Sequence, residues 1–140
     1  MIRTSYFLII LMSACFVQAC KRTPEAIIRD TFCLDISKEQ YEVIDFSEHW
    51  CLNGDGETSI ILDFKTGLSE KAINLIIERG GKSLPIPQDL PLFLSSDVLD
   101  ASNGLYVLWN LSVGNYLYWD YCLLVYDYDK KQMYFRLLFK

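Results

Sequence analysis

The sequence has few of the residues on which metal centres and nucleophilic catalysts depend. It contains one histidine, His49, and five cysteines, of which Cys15 and Cys20 lie within the first twenty residues. A structural zinc site takes about four His or Cys ligands at matched spacing, which this chain does not offer. His49 and Cys51 are two residues apart, but no third group is evident to orient such a pair. We therefore expect no metal, no cofactor and no catalytic residues.

Basic residues are also scarce. Lys and Arg number 13 against 18 Asp and Glu, which gives a net charge of −5 at pH 7. Nucleic acids and anionic lipid surfaces attract proteins through basic patches, so this balance argues against both as partners. Loss of residues 1–19, whose one charged residue is Arg3, would make the net charge −6. An acidic surface is compatible with a basic protein partner.

The N-terminal apolar run is too short to cross a bilayer. Residues 6–17 give about 12 residues, whereas a transmembrane helix needs roughly 20. Arg3 precedes the run, and Lys21 and Arg22 follow soon after it. A positive start, a short apolar run and small residues before a cleavage point are typical of an export signal. The sequence therefore predicts a cleaved signal peptide over residues 1–19 rather than a transmembrane anchor.

The end of this signal, Val17-Gln18-Ala19-Cys20, resembles the lipobox of bacterial lipoproteins. The resemblance implies cleavage before Cys20 and attachment of lipid to its thiol. The protein would then be exported and anchored to the cell membrane or outer membrane, with its domain facing the periplasm or the cell exterior. The sequence leaves two alternatives open. One is processing at Cys15 after Ser13-Ala14, and the other is a plain secretory cut near Ala19.

Three cysteines remain in the mature chain, Cys33, Cys51 and Cys122. The exported compartment permits disulfides, and an odd number leaves at least one thiol outside an intrachain bond. Cys122 lies in a strongly apolar run and is expected to be a buried small hydrophobic residue. The candidate disulfide is therefore Cys33–Cys51.

Apolar periodicity predicts one α+β domain over residues 20–140, with a very short tether at residues 21–23. Two helices are expected, one capped by Thr23 and one capped by Ser69. Five strands are expected, over residues 41–50, 57–66, 104–113, 119–128 and 132–139. The prediction is an antiparallel sheet of about five strands with two helices packed on one face.

The first strand alternates, which predicts that Ile44, Phe46 and Trp50 point inward. Asn53-Gly54-Asp55-Gly56 is a strong turn signal between the first two strands. Residues 82–103 form a long connection, which we expect its apolar side chains to order. Those side chains are Leu84, Ile86, Leu92 and Phe93.

Two segments are candidates for binding a partner. Tyr116, Tyr118 and Tyr121 lie near a loop, and exposed tyrosines are typical anchors of protein interfaces. Asp55 and Glu57 lie in the turn between the first two strands. The alternation of Asn53, Asp55 and Glu57 also suits the start of a calcium loop, but the later EF-hand positions do not match.

The chain resembles a loosely defined family of small bacterial proteins, often lipoproteins, from about residue 41 to its end. The resemblance is carried by Gly54-Asp55-Gly56-Glu57-Thr58, Ile60-Ile61-Leu62, Leu84-Pro85, Asn103-Gly104-Leu105-Tyr106, Val125-Tyr126-Asp127 and Met133-Tyr134-Phe135. It implies no catalytic residues, because the family has no established activity.

These features favour a non-enzymatic envelope lipoprotein that binds another protein. A sharper version is an immunity protein that neutralises a toxin delivered to the periplasm. The alternative from a different class is an envelope hydrolase that uses His49 with nearby carboxylates.

The lipidation hypothesis predicts the behaviour of one variant. Replacement of Cys20 by alanine removes the thiol that would carry the lipid, so Cys20→Ala should abolish labelling of the protein by palmitate in cells. Continued labelling of this variant would contradict the assignment.

Overall fold

The computed structural model describes residues 22–90, 92, 94–114 and 120–140. These residues form three helices and six strands. The elements are α1 (Pro24–Phe32), β1 (Tyr41–Trp50), β2 (Gly56–Phe64), α2 (Glu70–Glu78), β3 (Lys82–Ser83), α3 (Ser96–Leu99), β4 (Gly104–Asn110), β5 (Tyr121–Asp127) and β6 (Gln132–Phe139).

The strands form one sheet in the order β1-β2-β6-β5-β4-β3. Every neighbouring pair is antiparallel. The last strand, β6, lies between β2 and β5 and joins the N-terminal hairpin to the C-terminal strands. The predicted α+β class is confirmed. The sheet has six strands instead of about five, because the connection after α2 adds the two-residue strand β3.

The two long helices begin where the sequence predicts. The Thr23 side chain accepts a hydrogen bond from the Ala26 amide, with Pro24 in the first turn. The Ser69 side chain accepts one from the Ala72 amide. These caps satisfy amides that have no partner within the helix.

The apolar stripes of both helices pack on the same face of the sheet, as predicted. This core holds Ile27, Ile28 and Phe32 of α1, Ala72 and Ile76 of α2, Ile60, Leu62 and Phe64 of β2, Met133 and Phe135 of β6, Cys122, Leu124 and Tyr126 of β5, and Leu105 and Val107 of β4. The helices thus cover the four strands β2, β6, β5 and β4.

The connection before β4 covers the other face of the sheet. Its buried side chains Leu84, Ile86 and Val98 pack on a second core that includes Leu123 and Val125 of β5. Leu92 packs against this core as a partly buried residue. The expectation that apolar side chains order the connection is confirmed for these residues, and Phe93 lies outside the described residues.

The prediction that β1 is half buried is wrong. Ile44, Phe46 and Trp50 are 56%, 38% and 42% exposed. The ladder between β1 and β2 skips Ile44, so the regular alternation of β1 is interrupted there. The helix-side core reaches only the start of β1, where Tyr41 packs against it, and Glu42 to Phe46 are all exposed.

Tyr126 provides a test of how the helix-side core is held together. Its hydroxyl accepts a hydrogen bond of 2.8 Å from the Leu68 amide in a buried site. Tyr126→Phe leaves that amide without an acceptor, so the free energy of unfolding in urea should fall by about 1–3 kcal/mol. The matched control is Tyr128→Phe, since Tyr128 is 36% exposed, and its cost should stay within about 0.5 kcal/mol. Equal costs for the two variants would contradict the assignment.

Candidate binding surface

The most exposed apolar part of the sheet is the outer strand β1. Val43, Ile44 and Phe46, which we call the β1 stripe, are 48%, 56% and 38% exposed. Strand β1 is the first in the sheet order, and its outer edge pairs with no strand in the described part of the chain. Soluble monomers rarely expose contiguous apolar patches unless these are interaction sites. The β1 stripe is therefore the first candidate for a binding surface.

The tip of the β1–β2 hairpin forms the turn that the sequence predicts. The Cys51 amide donates to the Asp55 carbonyl at 2.8 Å, and the Gly54 amide donates to the Cys51 carbonyl at 3.1 Å. Gly54 has φ +94°, a conformation that favours glycine. This turn projects Leu52 fully into solvent. We refer to residues 50–55 as the hairpin tip.

Trp50 is held in place at the base of this tip. A Cβ on Gly56 would lie 2.3 Å from the Trp50 indole, so the absence of a side chain lets the ring lie against the strand. The ring of Phe139 packs beside it at 5.8 Å between centroids. The indole Nε1 donates to Glu48 Oε1 at 3.1 Å, and Arg22 Nη2 lies 2.6 Å from the same oxygen.

The two acidic residues predicted at the turn have different surroundings. The Asp55 carboxylate is exposed and accepts a hydrogen bond of 2.6 Å from the Asn53 side-chain amide. Glu57 is half buried and lies 2.9 Å from Arg136 Nη2. The carboxylates of Asp55 and Glu57 thus do not converge on one point, as the ligands in a calcium loop would. In residues 22–140, apart from the stretches outside the described ranges, no group of three His, Cys, Asp or Glu side chains is placed to hold a metal ion.

The prediction that Tyr121 is exposed is wrong. Tyr121 opens β5, a central strand between β4 and β6, and its side chain is fully buried in the core under the connection. Burial raises the pKa of its hydroxyl above the usual value. The run of apolar residues on both faces of this strand is the sequence signal for such burial. Tyr116 and Tyr118, like the lipidation candidate Cys20, lie outside the described residues.

The candidate disulfide is absent from the structure, which holds Cys33, Cys51 and Cys122 as free thiols. Cys33 follows Phe32, whose ring packs at 4.5 Å on Trp109 of β4. Cys51 lies in the tip of the hairpin that ends the sheet on the opposite side. The strands between β1 and β4 therefore keep the two thiols apart. Cys122 is buried as predicted, and burial raises the pKa of its thiol.

His49 is exposed and lies opposite Glu57 in the β1–β2 ladder. Among the described residues, its imidazole makes no hydrogen bond or ion pair, and Glu57 instead pairs with Arg136. A nucleophilic triad needs a base oriented by a further group. The described residues around His49 do not form such an arrangement, so the geometry lends no support to the hydrolase alternative.

A cavity of about 210 Å³ lies on the face opposite the helices, lined by Glu57, Ser59, Ser95, Tyr134 and Arg136 among others. Pockets for small molecules typically measure about 300–1,000 Å³, so this one is below the usual range. The exposed apolar residues of β1 remain the better candidate for recognition.

Comparisons with known proteins add no relative from which a role could be carried over. No protein-family model, no curated protein and no solved structure matches this chain. Among the described residues, no helix has the length and apolar character needed to cross a membrane.

The contact between Gly56 and Trp50 generates a prediction. A methyl group at position 56 overlaps the indole, so Gly56→Ala should displace Trp50 and lower the free energy of unfolding by about 1–3 kcal/mol. The same substitution should cost less in a Trp50→Ala background, where only the approach to the His49 carbonyl at 2.8 Å remains. Equal costs in the two backgrounds, measured by urea unfolding, would contradict the proposed contact.

Proposed function

We propose that this protein is a lipid-anchored protein of the bacterial envelope that binds another protein and has no catalytic activity. The observation that carries the binding role is the β1 stripe, three apolar side chains exposed on one edge of an otherwise well-buried sheet. The anchoring role rests on the export signal and on Cys20. The two parts are tested separately.

The β1 stripe suits recognition through side chains better than recognition through the backbone. The bulge at Ile44 interrupts the regular edge, and Glu42 and Asp45 place acidic side chains along it. Bulges and charges on edge strands discourage pairing with a further strand. Apolar side chains between such groups still offer a buried centre with a polar rim, as in protein interfaces.

The charged residues around the β1 stripe favour one kind of protein partner. Glu42 is already paired with Lys65 at 3.4 Å, and Glu48 with Arg22 at 2.6 Å. Asp45 lies exposed beside the β1 stripe, in a chain whose net charge is −5. These features favour a partner with an apolar patch and basic side chains around it. A basic toxin delivered to the periplasm fits that description, and a toxin gene beside this one would support the immunity version.

Site-specific crosslinking tests the binding role in the intact envelope. A photoactivatable residue at position 44 of the full chain should form an adduct with one protein. The matched control is position 77, since Ile77 is also an isoleucine and is 50% exposed, but lies on α2. It should not form this adduct.

A second variant links the adduct to the β1 stripe. Phe46→Ser removes a neighbouring apolar side chain and should strongly reduce the adduct formed from position 44, while urea unfolding shows that the domain is still folded. The same adduct from position 77, or an adduct that Phe46→Ser leaves unchanged in a folded protein, would contradict the proposal.

A further inference from the structure

Four exposed apolar residues lie at one end of the sheet. Leu52 is 110% exposed and Val113 is 87% exposed. These are the two highest values among the large apolar residues in the described part of the chain. Trp50 and Leu111 are 42% and 37% exposed. We call these four residues the apolar end. They come from two segments far apart in sequence, the hairpin tip and the segment after β4.

The hydrogen-bonded ladders bring these two segments to the same end. Trp50 pairs with Gly56, which in turn pairs with Phe139 at the end of β6. The next residue, Lys140, donates its amide to Asp120 Oδ1 at 2.7 Å. The Asp120 carbonyl accepts from the Leu111 amide at 2.8 Å. Four strand spacings separate β1 from β4, so the apolar end is about 19 Å wide.

The other end of the sheet is polar. The β5–β6 turn there carries Asp129, Lys130 and Lys131, all exposed. Lys65, after the end of β2, is exposed beside this turn and pairs with Glu42. The two largest exposures of apolar side chains, those of Leu52 and Val113, thus lie at the end of the sheet away from this charged turn.

The start of the mature chain is tied to the apolar end. Arg22 Nη2 lies 2.6 Å from the Glu48 carboxylate, which also accepts a hydrogen bond of 3.1 Å from the Trp50 indole. One residue, Lys21, separates Arg22 from Cys20. Two residue steps reach at most about 7 Å, so the proposed lipid on Cys20 starts no farther than that from the backbone of Arg22, whose side chain contacts Glu48 beside Trp50.

We propose that the apolar end lies against the membrane, with Trp50, Leu52, Leu111 and Val113 in the interfacial region of a zwitterionic phospholipid bilayer. This inference rests on the proposed lipid anchor at Cys20. Tryptophan is enriched at the membrane–water interface, where its ring is partly apolar and its N–H can meet polar groups. Glu48 is paired with Arg22, and Asp55 is exposed at the same end, so this end carries no basic patch that would select anionic lipid and a neutral headgroup is the better match.

Contact with lipid would also set the orientation of the domain. Strand β1 rises about 3.3 Å per residue, so Ile44 lies about 20 Å along the strand from Trp50. The β1 stripe would then remain open to a partner in solution while the apolar end contacts the bilayer. The β1 stripe would therefore contact a protein partner, and the apolar end would contact the bilayer.

Quenching of Trp50 fluorescence by brominated lipid tests the inference. The lipidated full chain is reconstituted into phosphatidylcholine vesicles whose acyl chains carry bromine near the headgroup. The Trp50 emission is the difference between the unsubstituted protein and Trp50→Phe. We expect a loss of this emission in brominated vesicles relative to unbrominated ones.

Substitutions at the apolar end provide the matched comparison. Leu52→Asp combined with Val113→Asp should restore much of the Trp50 emission, because charges oppose burial in the interface. Leu99→Asp, at a leucine of α3 that is 41% exposed and lies on the helix whose Asp97 carbonyl accepts from Lys130 at the other end of the sheet, should leave the quenching unchanged. Equal effects of these variants would overturn the inference.

The anchor and the contact fail in distinguishable ways. Palmitate labelling that depends on Cys20, together with Trp50 emission that bromine does not quench, would overturn the contact and leave the anchor standing. Absence of labelling would overturn the anchor and, with it, the geometric basis of the contact.

Discussion

The helices pack over the middle of the sheet and leave most of its outer strand β1 in solvent, and the exposed surfaces of this protein follow from that arrangement. Both long helices have nine residues and pack on β2, β6, β5 and β4. Strand β1 lies at the edge of the sheet, and of its apolar side chains only Tyr41 packs against the helix-side core. Its other apolar side chains therefore stay in solvent even though their sequence pattern would suit burial. The proposed protein-binding surface is a direct result of this unequal coverage.

Strand β5 is buried along its whole length because the sheet is covered on both faces there. The helices pack on one side, and the connection between β3 and β4 packs on the other. Every residue of β5 is buried. Tyr121 and Cys122 are consequently withdrawn from solvent, with raised pKa values that reflect burial.

Much of the fold is local enough to read from the sequence. The caps at Thr23 and Ser69 act within one turn of each helix, and the turn around Gly54 depends on four consecutive residues. These elements were predicted correctly. The candidate site was predicted less well, because exposure of Tyr121 and pairing of Cys33 with Cys51 depend on which strands are neighbours. Insertion of β6 between β2 and β5 cannot be deduced from periodicity, and it is this order that separates the two thiols.

The sequence by itself determined the α+β class and the acidic balance that disfavours nucleic acid, and it predicts an export signal that ends at Cys20. These depend on composition and on local spacing, which the chain carries wherever it folds. Only the tertiary structure decided that β1 lies at an edge of the sheet and that Leu52 and Val113 share one end of the sheet with Arg22. Burial and proximity are set by strand order and by which strands the helices pack on, and both arise only when distant segments pack together.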